Sequence, residues 1–228
     1  MKIDTRRKVD SELNVLHPSH PNYSLRGINP GRFEAILNYA GQEILDVGCG
    51  SGVYVLHLSD RYNIRGVDYK RFDSWQARPE LFSIGDAQVL ANGNNSVDTI
   101  LSFEALEHLA NPRQALSEYF RVCRKNLILT VPNCTLTPGM KNSGIIYNHW
   151  IDRTHINFWD MESIAKLLCD AGFTVEHKQA INEINLGAVT MEALGFSGVF
   201  ARIGSRIFRL CQSKKYFMTN LVIARKIA

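Results

Sequence analysis

The sequence predicts a doubly wound α/β fold on a mostly parallel, seven-stranded sheet, and three observations carry that prediction. From Ile44 to Val131 short apolar runs alternate with helical patterns, the signature of parallel strands joined by crossover helices. The apolar content of those runs is nearly continuous, as expected when both sheet faces are covered. The chain has 228 residues, enough for one domain with a substantial core. We expect a single domain over 29–228, preceded by an N-terminal extension over 1–28 and interrupted by insertions at about 134–157 and 181–213.

Taken in order, Asn29 caps and Pro30 starts the first helix, with Phe33, Ile36, Leu37 and Ala40 on one face and Gly41 closing it. Strands are expected at Glu43–Val47, Ile64–Asp68, Leu81–Ile84, Thr99–Phe103 and Asn126–Val131. Asn111-Pro112 opens a helix with Ala115, Leu116, Tyr119 and Phe120 at helical spacing. Asp160 caps another, which runs through Ile164, Leu167 and Leu168 to Gly172. Phe173–Glu176 and Phe217–Ala224 read as an antiparallel pair that finishes the sheet. The segment from Cys134 to Asn157 is loop-like, and Ile181 to Ser213 reads mostly as amphipathic helix.

A hydrophobic content of 45% with 21% charged residues excludes disorder, and no apolar run approaches the ~20 residues that cross a bilayer. Five scattered cysteines argue for reduced thiols rather than a disulfide framework or a zinc site, so a cytoplasmic location and no metal are expected. The charged start of the chain shows no secretory signal. The net charge of +4 is modest, but no acid follows Glu192, whereas Arg202, Arg206, Arg209, Lys214, Lys215, Arg225 and Lys226 do.

Chemistry concentrates at one turn. Ile44 to Gly52 reads ILDVGCGSG, a strand, three alternate glycines, then a helix. Glycines let a ligand approach the backbone, and the helix start offers free N–H groups. The spacing departs from the dinucleotide fingerprint, because Val53 stands at its third glycine. Asp68 ends the second strand, where a carboxylate can accept two ribose hydroxyls, and Asp86 follows the third in SIGDA. All three features fall at the carboxyl ends of successive strands, the edge where open α/β sheets bind ligands.

The strings ILDVGCGSG, GVDY (66–69), GDA (85–87) and SVDTILSFEALEHL (96–109) resemble the class I S-adenosylmethionine-dependent methyltransferases. Within that group they are similar to the small-molecule and glycan enzymes that include the ubiquinone-pathway methyltransferases. The string THINFWDMESIAKLLCDAGF (154–173) shares the resemblance. It implies a Rossmann-like sheet whose last strand is antiparallel, with S-adenosyl-L-methionine as cofactor. It sets Gly48, Cys49 and Gly50 against the methionine portion, Asp68 with neighbouring Tyr69 at the ribose, and Asp86 with Ala87 at the adenine. Ser102 and Phe103 fall near the sulfonium, and Asp46 braces the glycine turn.

A hydroxyl acceptor must lose a proton, so a placed base matters. His108 in EALEHL is the first choice, with His149 and His155 of the following insertion as others and Glu104 and Glu107 as neighbouring carboxylates. After the fourth strand the chain reads SFEAL, without the D/N-P-P-aromatic string of amino-methylating nucleobase enzymes and without a nucleophilic cysteine. No nucleic-acid partner is expected; the acceptor is a small molecule, a glycan or a lipid-linked intermediate, and the mechanism O-methylation. A nicotinamide-dependent oxidoreductase and a catalytically inactive cofactor-binding module are the alternatives. The stretch from Ala188 to Cys211 reads either as a lid packed on the core or as a helix resting on an anionic membrane surface.

Overall fold

The computed structural model describes residues 27–136, 153–211 and 214–227, together with 138 and 142. Seven strands form one sheet: β1 (Glu43–Val47), β2 (Asn63–Asp68), β3 (Phe82–Ile84), β4 (Val97–Phe103), β5 (Cys123–Pro132), β6 (Thr174–Glu183) and β7 (Phe217–Arg225). Their order is β3-β2-β1-β4-β5-β7-β6. Strands β1 to β5 pair in parallel, and β7 is antiparallel to both of its neighbours, β5 and β6. The two late strands therefore pair antiparallel as expected, and the final strand lies between β5 and β6.

Helices cover both faces. On one side, α1 (Pro30–Tyr39) and α2 (Val53–Leu58) bury Phe33, Ile36, Val55 and Leu58 against Ile44, Ile64, Leu101 and Ile128. On the other, α3 (Pro112–Val122) and α4 (Met161–Asp170) bury Leu116, Tyr119, Ile164 and Leu168 against Leu45, Ile100, Leu127 and Val222. Successive strand residues thus serve opposite layers, which is why the strands read as unbroken apolar runs. Each large side chain buried this way contributes about 1.5–3 kcal/mol.

The helix starts follow their caps. Asn29 and Asn111 accept hydrogen bonds from the N–H groups of Arg32 and Gln114 at 3.2 Å, each ahead of a proline. Asp160 and Ser163 form a reciprocal capping box. Helix α4 ends at Gly172 (φ 98°), with Gly172 N–H donating to Cys169 and Phe173 N–H to Leu168, a Schellman closure. Gly41 departs from expectation. The C-cap of α1 is Ala40 in extended conformation, and Gly41 is needed because a Cβ there would run into the Asp98 side chain.

The largest departure is β6. It extends to Glu183, well past Glu176, so the first residues of the expected second insertion belong to the sheet. Beyond it, α5 (Leu186–Ala193) and α6 (Gly198–Cys211) form a helical hairpin before β7.

Candidate active site

The carboxyl ends of β1, β2, β3 and β4 lie along one rim of the sheet, and the turn after β1 is built by left-handed glycines. Gly48, Gly50 and Gly52 have φ of 76°, 53° and 75°. The turn is pinned to β2, since Gly48 and Cys49 N–H both donate to the Val67 carbonyl at 2.8 and 3.2 Å. Gly50 N–H donates to Asp68 Oδ2 at 2.8 Å, and Trp75 Nε1 donates to the Gly50 carbonyl at 2.9 Å. Trp75 in turn stacks on Phe82 with ring centroids 4.8 Å apart.

The three glycines are not equivalent. A Cβ on Gly48 would meet the Ala105 Cβ at 2.6 Å, and one on Gly52 would strike the Phe82 ring. A Cβ on Gly50 would meet nothing within 4 Å. The backbone at Gly50 therefore borders open space, the room a ligand needs.

Asp68 is buried, and while Oδ2 holds Gly50, Oδ1 receives only a long 3.4 Å contact from Lys70 N–H. It retains acceptor capacity for hydroxyls. Gly85 N–H donates to the Asp68 carbonyl at 2.9 Å, which draws the GDA turn to the same place. Asp86 is exposed there and accepts from Gln88 N–H at 2.8 Å; half-buried Ala87 packs against the core edge. Tyr69 is largely exposed beside them. Asp46 is buried, and desolvation, then the charge of Asp68, raise its carboxyl to about 7, only partly offset by Arg32. Burial and the same two acids push the Cys49 thiol far up, so it is an inert side chain of the turn.

Beyond β4, the chain takes a strained step: Glu104 has φ 54°, unusual for a residue with a side chain. Its carboxylate accepts a 2.7 Å hydrogen bond from the buried guanidinium of Arg32, which also lies 5.2 Å over the Phe103 ring. Burial works against the Arg32 charge, but Glu104, Tyr54 and Glu107 outweigh it and hold it firmly protonated. Glu107, on the following turn (Leu106–His108), is fully buried, and neither of its carboxyl oxygens has a hydrogen-bond partner among the described residues. Burial, then the negative charge of Glu104, raise it well above the usual carboxylate range.

His108 is exposed, and its Nδ1 lies 3.0 Å from the Thr154 carbonyl. A carbonyl only accepts, so the pairing assigns the proton to Nδ1 and leaves the Nε2 lone pair available. The His155 ring sits edge-on to it, centroids 4.8 Å apart. One ligand-type atom each from Glu107, His108 and His155 lies within 4.8 Å of the others. As they stand, the trio is a buried carboxylate behind two imidazoles.

The structure therefore brings together Asp46, Gly48, Cys49, Gly50, Asp68, Tyr69, Asp86 and Ala87 around one turn, and Phe103, Glu104 and His108 at the next strand end. Ser102 differs: its hydroxyl lies 3.3 Å from Tyr119 Oη in the core under α3, so its side chain does not face the rim. His149 lies outside the described residues. Arg32 and Trp75 escaped sequence reading. Trp75 carried only the signal of an aromatic just after an acid-ended strand, and Arg32 carried none.

The profile of the methyltransferase-domain family matches residues 24–178. A relative from Mycolicibacterium smegmatis, named a probable S-adenosylmethionine-dependent methyltransferase, is 28% identical over 60% of this chain and 54% of its own length. An O-methyltransferase from Pyrenophora dematioidea is also 28% identical, over 59% of this chain and 55% of its own. The chain thus spans about half the length of these curated relatives. The solved structure of an S-adenosylmethionine-dependent methyltransferase from Archaeoglobus fulgidus superposes with a TM-score of 0.60 at 21% identity, covering 86% of this chain and 92% of the other. That likeness is one of fold.

Proposed function

The chain belongs to the class I S-adenosylmethionine-dependent methyltransferases, and from that premise we propose that it methylates a hydroxyl oxygen of a small molecule, a glycan or a lipid-linked intermediate. The acceptor bases of the rim support this reading. An alcohol must shed its proton as it attacks, and His108 offers a bare Nε2 because Nδ1 is committed to Thr154.

The residues at the rim fit the cofactor chemically. Asp68 Oδ1 can take a ribose hydroxyl, Asp86 an amino group of the base, and the open face at Gly50 the approach of the ligand chain. Bound there, the cofactor supplies an electrophilic methyl group on a positively charged sulfur. The buried carboxylate of Asp68 complements that positive charge. Proton removal belongs to His108: Nε2 takes the hydroxyl proton, Nδ1 keeps its own on Thr154, and Glu107 stands behind the imidazoles as a buried carboxyl group. Glu104 is held by Arg32, which makes it a positioning group for the strand end rather than a base. Alignment of the nucleophile is the larger contribution, worth as much as ~7–11 kcal/mol in well-oriented systems, and a base adds ~10²–10⁴-fold.

The test is transfer of labelled methyl from the cofactor to panels of hydroxyl and amine acceptors, with products located by mass spectrometry. Label on oxygen supports the reading. Label on nitrogen alone overturns O-methylation, and cofactor binding without transfer to any acceptor points to the inactive module. Family membership sets the nicotinamide oxidoreductase aside.

A further inference from the structure

The helical hairpin between β6 and β7 packs the wrong way round for a lid. Helix α6 meets α5 through the small residues Gly204 and Ser205. The approach is close: a Cβ on Gly187 would meet the Ser205 carbonyl at 2.7 Å, and Ser205 Oγ donates to Asn185 Oδ1 at 3.1 Å. Its large apolar side chains point to solvent instead. Phe200 is 75% exposed, Leu210 87% and Ile207 58%, with Val199 and Ile203 beside them. At 100° per residue these five occupy one arc of about 100°. Leu194 and Phe196 extend the apolar surface around the turn between the helices.

We propose that this hairpin is a docking surface for an anionic lipid membrane. Charge complementarity selects the occupant. Arg202, Arg206 and Arg209 fill the arc of α6 next to the apolar one, and no acidic residue follows Glu192. Arg209 and Lys215 pair with Glu183 at 3.0 and 2.9 Å, anchoring the hairpin to β6, while Arg202 and Arg206 lie exposed on the side of the stripe. A convex helix with apolar side chains flanked by arginines suits a lipid interface: the rings and aliphatic groups enter the acyl boundary and the guanidinium groups reach phosphate. No described helix is long and apolar enough to cross a membrane, so the contact is one of lying on the surface. The hairpin rises from the end of β6, on the same rim as the glycine turn, because β6 runs parallel to β1 through the pairings of β7. The surface stands independently of which acceptor is methylated.

Sedimentation with vesicles of phosphatidylcholine mixed with phosphatidylglycerol, against pure phosphatidylcholine, tests the proposal. The full chain is expected to sediment with the mixed vesicles at low salt, and at least about tenfold less with the neutral ones. A Phe200→Ser/Ile207→Ser variant should lose binding, and an Arg202→Glu/Arg206→Glu variant should lose about tenfold or more. Both substitute exposed side chains, and an unchanged thermal midpoint verifies folding. Absence of binding to mixed vesicles overturns the proposal. So does equal binding by the Phe200→Ser/Ile207→Ser variant, or a wild-type dimer in sedimentation velocity that this variant dissolves while vesicles bind neither.

Discussion

Arg32, in the first turn of α1, donates a 2.7 Å hydrogen bond to Glu104, the strained residue that follows β4, and both side chains are largely withdrawn from solvent. The pair ties the first helix to the strand end that carries the candidate base. Three acids, Glu104, Glu107 and Asp46, draw on this one cation. Replacing Arg32 by Met leaves the Glu104 carboxylate uncompensated and should cost about 3–5 kcal/mol in urea unfolding. Adding Glu104→Gln to Arg32→Met should recover part of that loss. Additive losses in the double variant would contradict the coupling.

Asp46 predicts the sign of a pH dependence. Its carboxyl is held at about 7 in the folded protein against 3.8 otherwise. Between those values the folded state keeps a proton that the unfolded state releases, so stability falls as pH rises from about 4 to about 7 and then levels. Asp46→Asn should flatten this slope and stabilise the protein above pH 7, by an amount on the order of a few kcal/mol. Thermal midpoints across pH measure it; an unchanged slope would contradict the assignment.

The turn glycines separate folding from binding. Gly50→Ala places its methyl in open space, so the cost is backbone strain of about 1–2 kcal/mol. On the proposed reading that space takes the cofactor, so cofactor affinity should fall at least about tenfold, some 1.4 kcal/mol. Gly48→Ala collides with Ala105 and should lower the thermal midpoint far more. Equal midpoints for the two variants would count against the described turn.

His108→Ala should reduce kcat about 10²- to 10⁴-fold toward a hydroxyl acceptor and leave cofactor affinity unchanged. Glu107→Gln should lower kcat with little change in KM, because it alters the buried carboxyl behind the imidazoles and not a substrate contact. Full activity in His108→Ala would assign the proton to another group.

Much of this architecture was legible because the strands bury both faces. Strands β1, β4 and β5 are buried almost throughout and each carries a short apolar run, and the caps Asn29, Asn111 and Asp160 mark their helices plainly. Strand β6 was legible only to Glu176, because from there to Gln179 it is an exposed, polar edge strand without an apolar run. The Arg32–Glu104 pair spans 72 residues, and no local pattern encodes such a meeting. Ser102 lies one residue from the rim, where the two-residue alternation of β4 sends it to the core and Phe103 to the opposite layer. In α6 the periodicity disclosed an amphipathic helix but not that its small residues would face inward.

Binding of S-adenosylmethionine measured by titration calorimetry on the wild-type chain and on Asp68→Ala tests the central claim most directly. A single site on the wild type, weakened at least about tenfold by removing the carboxylate that braces Gly50, is the predicted result. Undiminished affinity in Asp68→Ala, or no heat from the wild type, would contradict it.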